Sequence, residues 1–196
     1  MRKINHSKNL EGKLRIIGGQ WRGRKISVRP NSYLRPTKDF VRETLFNWVN
    51  PYLLGSNCLD LFCGTGALGL EALSRGARYC DFVESCKPTT EDLALTLGRW
   101  NANDLATIHN IQVDRFLSSK NKNNYDIVFM DPPFNSGLLG ETFKAISRSH
   151  ILLPGCLIYL EFSASKPPNR IPSQWKEFKE KQSGSVRYAL FRYDPD

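Results

Sequence analysis

The stretch N-C-L-D-L-F-C-G-T-G-A-L-G, Asn57 to Gly69, decides how the chain is read. Asn57 to Phe62 is a short, mostly apolar run holding one acid, Asp60, and reads as a strand. The turn after it places Gly64, Gly66 and Gly69 at G-x-G-x-x-G spacing, and Ala67 to Arg75 continues as a helix closed by Gly76. A strand passing through a glycine turn into a helix opens a βαβ unit, and the missing side chains let a ligand approach the backbone closely. Glu84 ends the next expected strand, Tyr79 to Glu84, and stands twenty residues past Gly64, where an acid hydrogen-bonds a ribose. These features point to an adenosine-bearing ligand and leave open which one.

Outward from this unit, strand and helix patterns alternate as in a parallel α/β sheet. A helix from about Thr89 to Trp100, a strand from Thr107 to Val113 and a strand from Tyr125 to Met130 follow. After these come a helix from Leu139 to Ser149 and a strand from Cys156 to Phe162. The last two candidates, Trp175 to Lys181 and Val186 to Tyr193, are separated only by a short turn at Ser183 and Gly184, so they are expected to pair antiparallel. On the N-terminal side, Thr37 is a plausible cap for a helix over about 37 to 50 whose Val41, Leu45, Trp48 and Val49 share a face.

The second informative stretch is Y-D-I-V-F-M-D-P-P-F, Tyr125 to Phe134. Ile127 to Met130 is a continuous apolar run, as expected of a strand covered on both faces, and Pro132 and Pro133 stop it because proline cannot donate to the ladder. Asp131, the Pro132 carbonyl and the Phe134 ring are thereby gathered at one exit. An amino group on a nucleobase is a poor nucleophile, since its lone pair is delocalised into the ring. Acceptors on its N–H bonds, here Asp131 and Pro132, orient it, while Phe134 stacks on the base at about 1–3 kcal/mol. Open α/β sheets bind ligands at the carboxyl ends of their strands, so this exit and the glycine turn share an edge. Of the adenosine ligands NAD and S-adenosylmethionine, the pairing selects S-adenosylmethionine, because hydride transfer has no use for a carboxylate that holds an amine. Asp60 is then expected at the methionine ammonium and Asp114 at the adenine amine, with a helix cap as the alternative role of Asp114.

Net charge is +9, and its distribution is uneven. Residues 1 to 42 hold twelve Lys or Arg against Glu11 and Asp39, a net of +10, so the remainder is nearly neutral at −1. Within this block Leu14 to Val28 reads as a hairpin around G-G-Q-W-R-G, with Trp21 interleaved among arginines, which favours a phosphate-binding surface over a solvated charge run. We expect residues 1–36 to form a basic extension and 37–196 the α/β domain. Five cysteines without C-x-x-C spacing and three scattered histidines give no metal site, and the thiols read as reduced in a cytoplasmic protein. No run is long enough to span a membrane, and no apolar segment of the kind found in a signal peptide follows the basic start.

With these residues placed, the chain resembles the RsmD family of 16S rRNA guanine-N2 methyltransferases within the class I S-adenosylmethionine-dependent superfamily. The resemblance rests on R-I-I-G-G-Q-W-R-G-R (15–24), L-R-P-T (34–37), V-R-E-T-L-F-N-W (41–48), L-D-L-F-C-G-T-G-A-L-G-L-E-A-L-S-R-G (59–76), D-I-V-F-M-D-P-P-F (126–134) and G-L-L (137–139). Phe40 departs from it where arginine is usual, as does the Ser85-Cys86 pair. The resemblance implies a Rossmann-like, seven-stranded, mostly parallel sheet with a C-terminal antiparallel pair and a small N-terminal hairpin. It further implies a donor held by Asp60, Gly64, Gly66 and Glu84 and a guanine held at Asp131 to Phe134. Ribosomal RNA, free or within a small-subunit particle, would be gripped by Arg15, Trp21, Arg22, Arg24, Lys25, Arg35 and Arg42 of a monomeric enzyme. The competing expectations are a DNA adenine-N6 methyltransferase, which shares D-P-P-F, and a non-catalytic RNA-binding assembly factor.

Overall fold

The structure is a computed structural model that describes residues 14–28, 39–119, 123–133 and 137–195. A two-stranded antiparallel hairpin, β1 (Leu14–Arg15) and β2 (Lys25–Ile26), precedes helix α1 (Asp39–Leu53). Then come β3 (Asn57–Asp60), α2 (Ala67–Ser74), β4 (Tyr79–Val83), α3 (Lys87–Arg99), β5 (Ala106–His109) and α4 (Val113–Ser118). The chain continues through β6 (Tyr125–Met130), α5 (Leu138–Ser149), β7 (Leu152–Ser163), β8 (Trp175–Ser183) and β9 (Val186–Tyr193). Seven strands form one sheet in the order β5-β4-β3-β6-β7-β9-β8; β5 to β7 run parallel, and β9 joins antiparallel to both β7 and β8. The expected Rossmann-like architecture and its antiparallel terminal pair are both present.

Two apolar layers sandwich the sheet. On one face the hairpin, α1, α2 and α3 bury Ile16, Leu45, Phe46, Leu70 and Leu93 against Cys58, Phe82 and Phe129. On the other, α4 and α5 bury Phe116, Phe143 and Ile146 against Leu59, Val128 and Leu160. From Ile127 to Met130 alternate residues of β6 fall into the two layers, which is why this run is apolar throughout rather than alternating.

The differences from the sequence reading have local causes. Helix α1 runs past Pro51 to Leu53, which is fully buried, and the carbonyl partner that Pro51 cannot serve belongs to exposed Asn47. The third parallel strand ends at His109 rather than Val113, because Asn110 turns the chain by donating its side-chain amide to the carbonyls of Glu84 and Ser85. Helix α4, unforeseen, then begins at Val113. Thr37, expected as the α1 cap, lies outside the described residues.

This topology fixes where a ligand can sit. From β3 the chain steps outward to β4 and β5, then crosses back so that β6 lies on the other flank of β3. The reversal leaves a crevice beyond the carboxyl ends of β3 and β6, the place where open α/β sheets bind their ligands. Asp60 ends β3 and Asp131 follows β6 directly.

Candidate active site

The glycine turn is built for close approach and tight packing together. Gly64 and Gly66 have positive φ values of 50° and 76°, conformations that side chains disfavour. A Cβ on Gly69 would lie 2.3 Å from the Phe82 ring and 2.7 Å from the Cys80 sulfur, so this third glycine lets α2 seat directly on β4. Gly66 caps α2 without a side chain to offer, and buried Asp60 supplies the acceptor instead, its Oδ2 taking the Gly69 N–H at 3.0 Å. Its Oδ1 makes no hydrogen bond to a described residue. Glu84 is locked from both sides: Oε2 accepts from Gly64 N at 3.1 Å and Oε1 from Cys86 N at 2.7 Å. The acid expected to meet a ribose is thus held against the first glycine of the turn.

One cavity of about 820 Å³ is lined by Asp60, Gly64 and Glu84 on one side and by Asp131, Pro132 and Pro133 on the other. The two ends read separately from sequence therefore share walls. Asp114 lines it too, exposed in the first turn of α4; the cap of that helix is Gln112, so the alternative capping role does not hold. Phe134 lies outside the described residues. Sequence reasoning overlooked two further acids of the lining, Glu141 on α5 and buried Glu161 on β7. Glu161 accepts the Tyr159 hydroxyl at 2.6 Å. An acid inside the apolar run L-I-Y-L-E-F was the signal for it.

The cavity's charge is one-sided. Asp60, Glu84, Asp114, Asp131, Glu141 and Glu161 contribute six carboxylates, and no Lys, Arg or His is among the described lining residues. Two of the six, Asp60 and Glu161, are buried. Burial, with the charges of Asp131 and Glu84 behind it, pushes the Asp60 carboxyl up to about 7 despite the opposing Gly69 N–H. Tyr159 is likewise raised, by burial first and then by Glu161. Such a site favours a cationic ligand and resists a pyrophosphate, whose two negative charges would face these acids without a countercharge.

The expected RNA-gripping residues divide. Arg15, Arg22, Arg24 and Lys25 are exposed on the hairpin, with Arg15 3.7 Å from Asp39 and Arg24 5.7 Å above the Trp100 ring. Two expectations are corrected. Trp21 is buried, packed on Trp100 at 5.2 Å between ring centroids, and offers no face to a base. Arg42 is fully buried: its Nη2 donates to Asp39 and to the Arg15 carbonyl, and its Nη1 is 3.9 Å from the Glu71 carboxylate. It braces the hairpin from behind instead of meeting solvent. Arg35 lies outside the described residues.

Comparison with known proteins accords with this geometry. Residues 14–192 match the family model described as Conserved hypothetical protein 95. The ribosomal RNA small subunit methyltransferase D of Escherichia coli strain K12 is 43% identical over 192 residues, covering 98% of this chain and 95% of that protein. Its namesake from Haemophilus influenzae is 40% identical, covering 98% of this chain and all of that protein. Among solved structures, a putative methyltransferase from Escherichia coli superposes with a TM-score of 0.86 at 40% identity, covering 94% of this chain and 100% of that one. A family match spanning nearly the whole chain, with relatives of this identity, makes the chain a member of the Conserved hypothetical protein 95 family, alongside the ribosomal RNA small subunit methyltransferases D.

Proposed function

We propose that the chain methylates the exocyclic N2 amine of a guanine in small-subunit ribosomal RNA, with S-adenosylmethionine as donor. The observation that carries this reading is the shared cavity: the β6 exit and the glycine turn are on the same walls, with six carboxylates and no cation among the described lining residues. The donor fits that charge, since its sulfonium and ammonium are both positive. Asp60 and Glu84 are the residues that would hold it, Asp60 at the ammonium and Glu84 at the ribose, with Asp114 at the adenine amine. When bound, it supplies a methyl group on a good leaving group.

The chain's own residues then act on the acceptor. Asp131 and the Pro132 carbonyl accept from the two N–H bonds of the amine, which turns its lone pair toward the donor side of the cavity and favours the pyramidal form. Holding the two reactants in line removes much of the entropic cost of their encounter, worth several kcal/mol. As the new N–C bond forms, positive charge develops on the amine nitrogen. The carboxylates of Asp131, Glu161 and Glu141 stabilise that charge until the nitrogen loses a proton. A guanine in a paired or stacked segment has to be extruded to reach this cavity, at a cost of a few kcal/mol, and phosphate contacts from Arg15, Arg22, Arg24 and Lys25 offset it. The relatives' names support the RNA class.

The test is methyl transfer from labelled donor to small-subunit rRNA, protein-free and within small-subunit particles, and to duplex DNA, with the modified nucleoside identified by mass spectrometry. We expect N2-methylguanosine in rRNA. Preference for DNA, with N6-methyladenine as product, would replace the acceptor while leaving the donor site as described. Binding of rRNA without uptake of donor would support the assembly-factor reading.

A further inference from the structure

A second cavity, also of about 820 Å³, lies on the far side of the β6 exit. It runs between α5 and the connection from β7 to β8, and Pro132 and Pro133 line both cavities. Those two prolines are therefore a partition. On one side stand the six carboxylates described above. On the other stand Lys144, Arg148, Lys166 and Arg170, with no acid among the described lining residues. Lys144 is 2.9 Å from Glu141 on the exposed side of α5, which leaves most of the groove's positive potential to Arg148, Lys166 and Arg170. The floor is apolar, formed by Phe143 and Phe162, both 5% exposed. Pro167 and Pro168, on the connection from β7 to β8, line the volume as well.

We propose that this groove is a binding site for the nucleotide adjacent to the target base in a single-stranded RNA segment. The inference rests on the reading of the chain as an RNA methyltransferase and extends it to a second subsite. A base inserted into the acidic cavity brings its own ribose-phosphate to the mouth of that cavity, and the neighbouring phosphate must go where the potential is positive. The groove beyond the proline partition is the described surface that meets this need next to the exit. Its size lies within the range of small-ligand sites, which run from about 300 to 1,000 Å³. Apolar proline faces on two walls suit the flat face of a base. Proline has no backbone N–H, so the Pro132, Pro133, Pro167 and Pro168 walls offer no amide donors for reading base edges. The site therefore selects an unpaired, extruded strand over a particular neighbouring base, the sequence-tolerant mode in which cations track the phosphates and the base packs on a flat surface. It also gives extrusion a second anchor: the displaced nucleotide is held on one side of the partition and its neighbour on the other.

The test uses the full chain with small-subunit rRNA, both protein-free and within small-subunit particles. Lys166→Ala/Arg170→Ala removes two exposed side-chain cations that make no side-chain hydrogen bond to a described residue. We expect KM for the RNA to rise about tenfold and the slope of log affinity against log salt to fall by about one unit per lost phosphate contact. The dissociation constant for S-adenosylhomocysteine should not change. Ser147→Trp, at an exposed α5 position lining the groove, keeps every charge and fills the volume, so it should raise KM without altering the salt slope. Unchanged KM in both variants, with wild-type protein active on the same RNA, overturns the subsite and leaves the proposed function standing. A defect confined to assembled small-subunit particles also overturns it, in favour of a protein ligand. Absence of transfer by the wild type to rRNA in both forms is the failure of the parent reading, and the wild-type control alone reveals it.

Discussion

Asp60 illustrates how one side chain links fold stability to ligand binding. Its carboxyl, raised to about 7 from an ordinary 3.8, keeps a proton in the native state over a range where the unfolded chain has lost it. Its contribution to stability is therefore complete below about pH 3.8, shrinks as pH rises and is gone above about pH 7, a swing of a few kcal/mol. A ligand cation beside Asp60 holds it ionised, so uptake of a methionine ammonium below neutral pH must expel that proton. Titration calorimetry with S-adenosylhomocysteine near about pH 6, in buffers of different ionisation enthalpy, should reveal the release. Asp60→Asn should abolish it, and a binding enthalpy independent of buffer in the wild type would put the ammonium elsewhere. Asp131, half-buried beyond the sheet, is the contrasting case. Asp131→Ala should lower kcat about 100-fold or more, the scale at which loss of one aligned polar partner acts on a reacting group. Donor affinity and melting temperature should hardly move; a large fall in melting temperature would mark Asp131 as a structural group instead.

At the scale of elements, the hairpin depends on a helix far from it in sequence. Glu71 of α2 is fully buried and accepts from Ile17 N and Gly18 N, each at 2.7 Å, while Arg75 Nε donates to it at 2.8 Å. Ser74 completes the seat: its hydroxyl donates to the Gly18 carbonyl at 2.6 Å and accepts from Trp21 N at 2.9 Å, and its carbonyl accepts from Gln20 N at 2.8 Å. The basic arm is thus fastened to the helix that follows the glycine turn, which couples the surface offered to RNA with the donor side of the crevice. Removing one partner of such a buried charged set costs about 3–5 kcal/mol. Glu71→Ala should therefore destabilise the chain by that order and raise amide exchange across residues 14–28, with RNA affinity falling more than donor affinity. Unaltered protection of that segment would mean that apolar packing of Ile16 and Trp21 suffices to hold it. None of this seat was readable in sequence. The glycines and alternating residues of the hairpin announced two strands, but a tryptophan among arginines looks alike whether it faces solvent or Trp100. The partner that settles the matter is 79 residues away from Trp21. The same holds for Arg42, whose helical position was legible while its acceptors Arg15 and Asp39 and its ion-pair partner Glu71 were not.

At the scale of the whole molecule, charge is separated into an acidic crevice at the switch point and basic surfaces outside it. The basic half was legible, because the N-terminal excess of +10 is contiguous in sequence. The acidic half was legible only in part, since its six carboxylates run from Asp60 to Glu161 and converge only when the chain reverses across β3. Asp60, Glu84, Asp114 and Asp131 follow strand ends or turns and could be read there; Glu141 and Glu161 sit within a helix and a strand, where periodicity speaks of packing rather than of sites. The separation makes a prediction that no single residue makes. RNA held by exposed cations should lose affinity steeply with salt, because binding releases counterions, whereas a donor seated on buried Asp60 and half-buried Glu84 should respond weakly. Arg22→Ala/Lys25→Ala tests the outer field cleanly: both side chains are exposed, while Arg24 stays in place because its guanidinium lies over Trp100. The slope of log affinity for rRNA against log salt should fall by about two units, with donor affinity the same at low and high salt. If the RNA slope stays as in the wild type, the hairpin does not touch phosphate, and the positive potential that draws RNA to the crevice belongs to the groove behind Pro132 and Pro133.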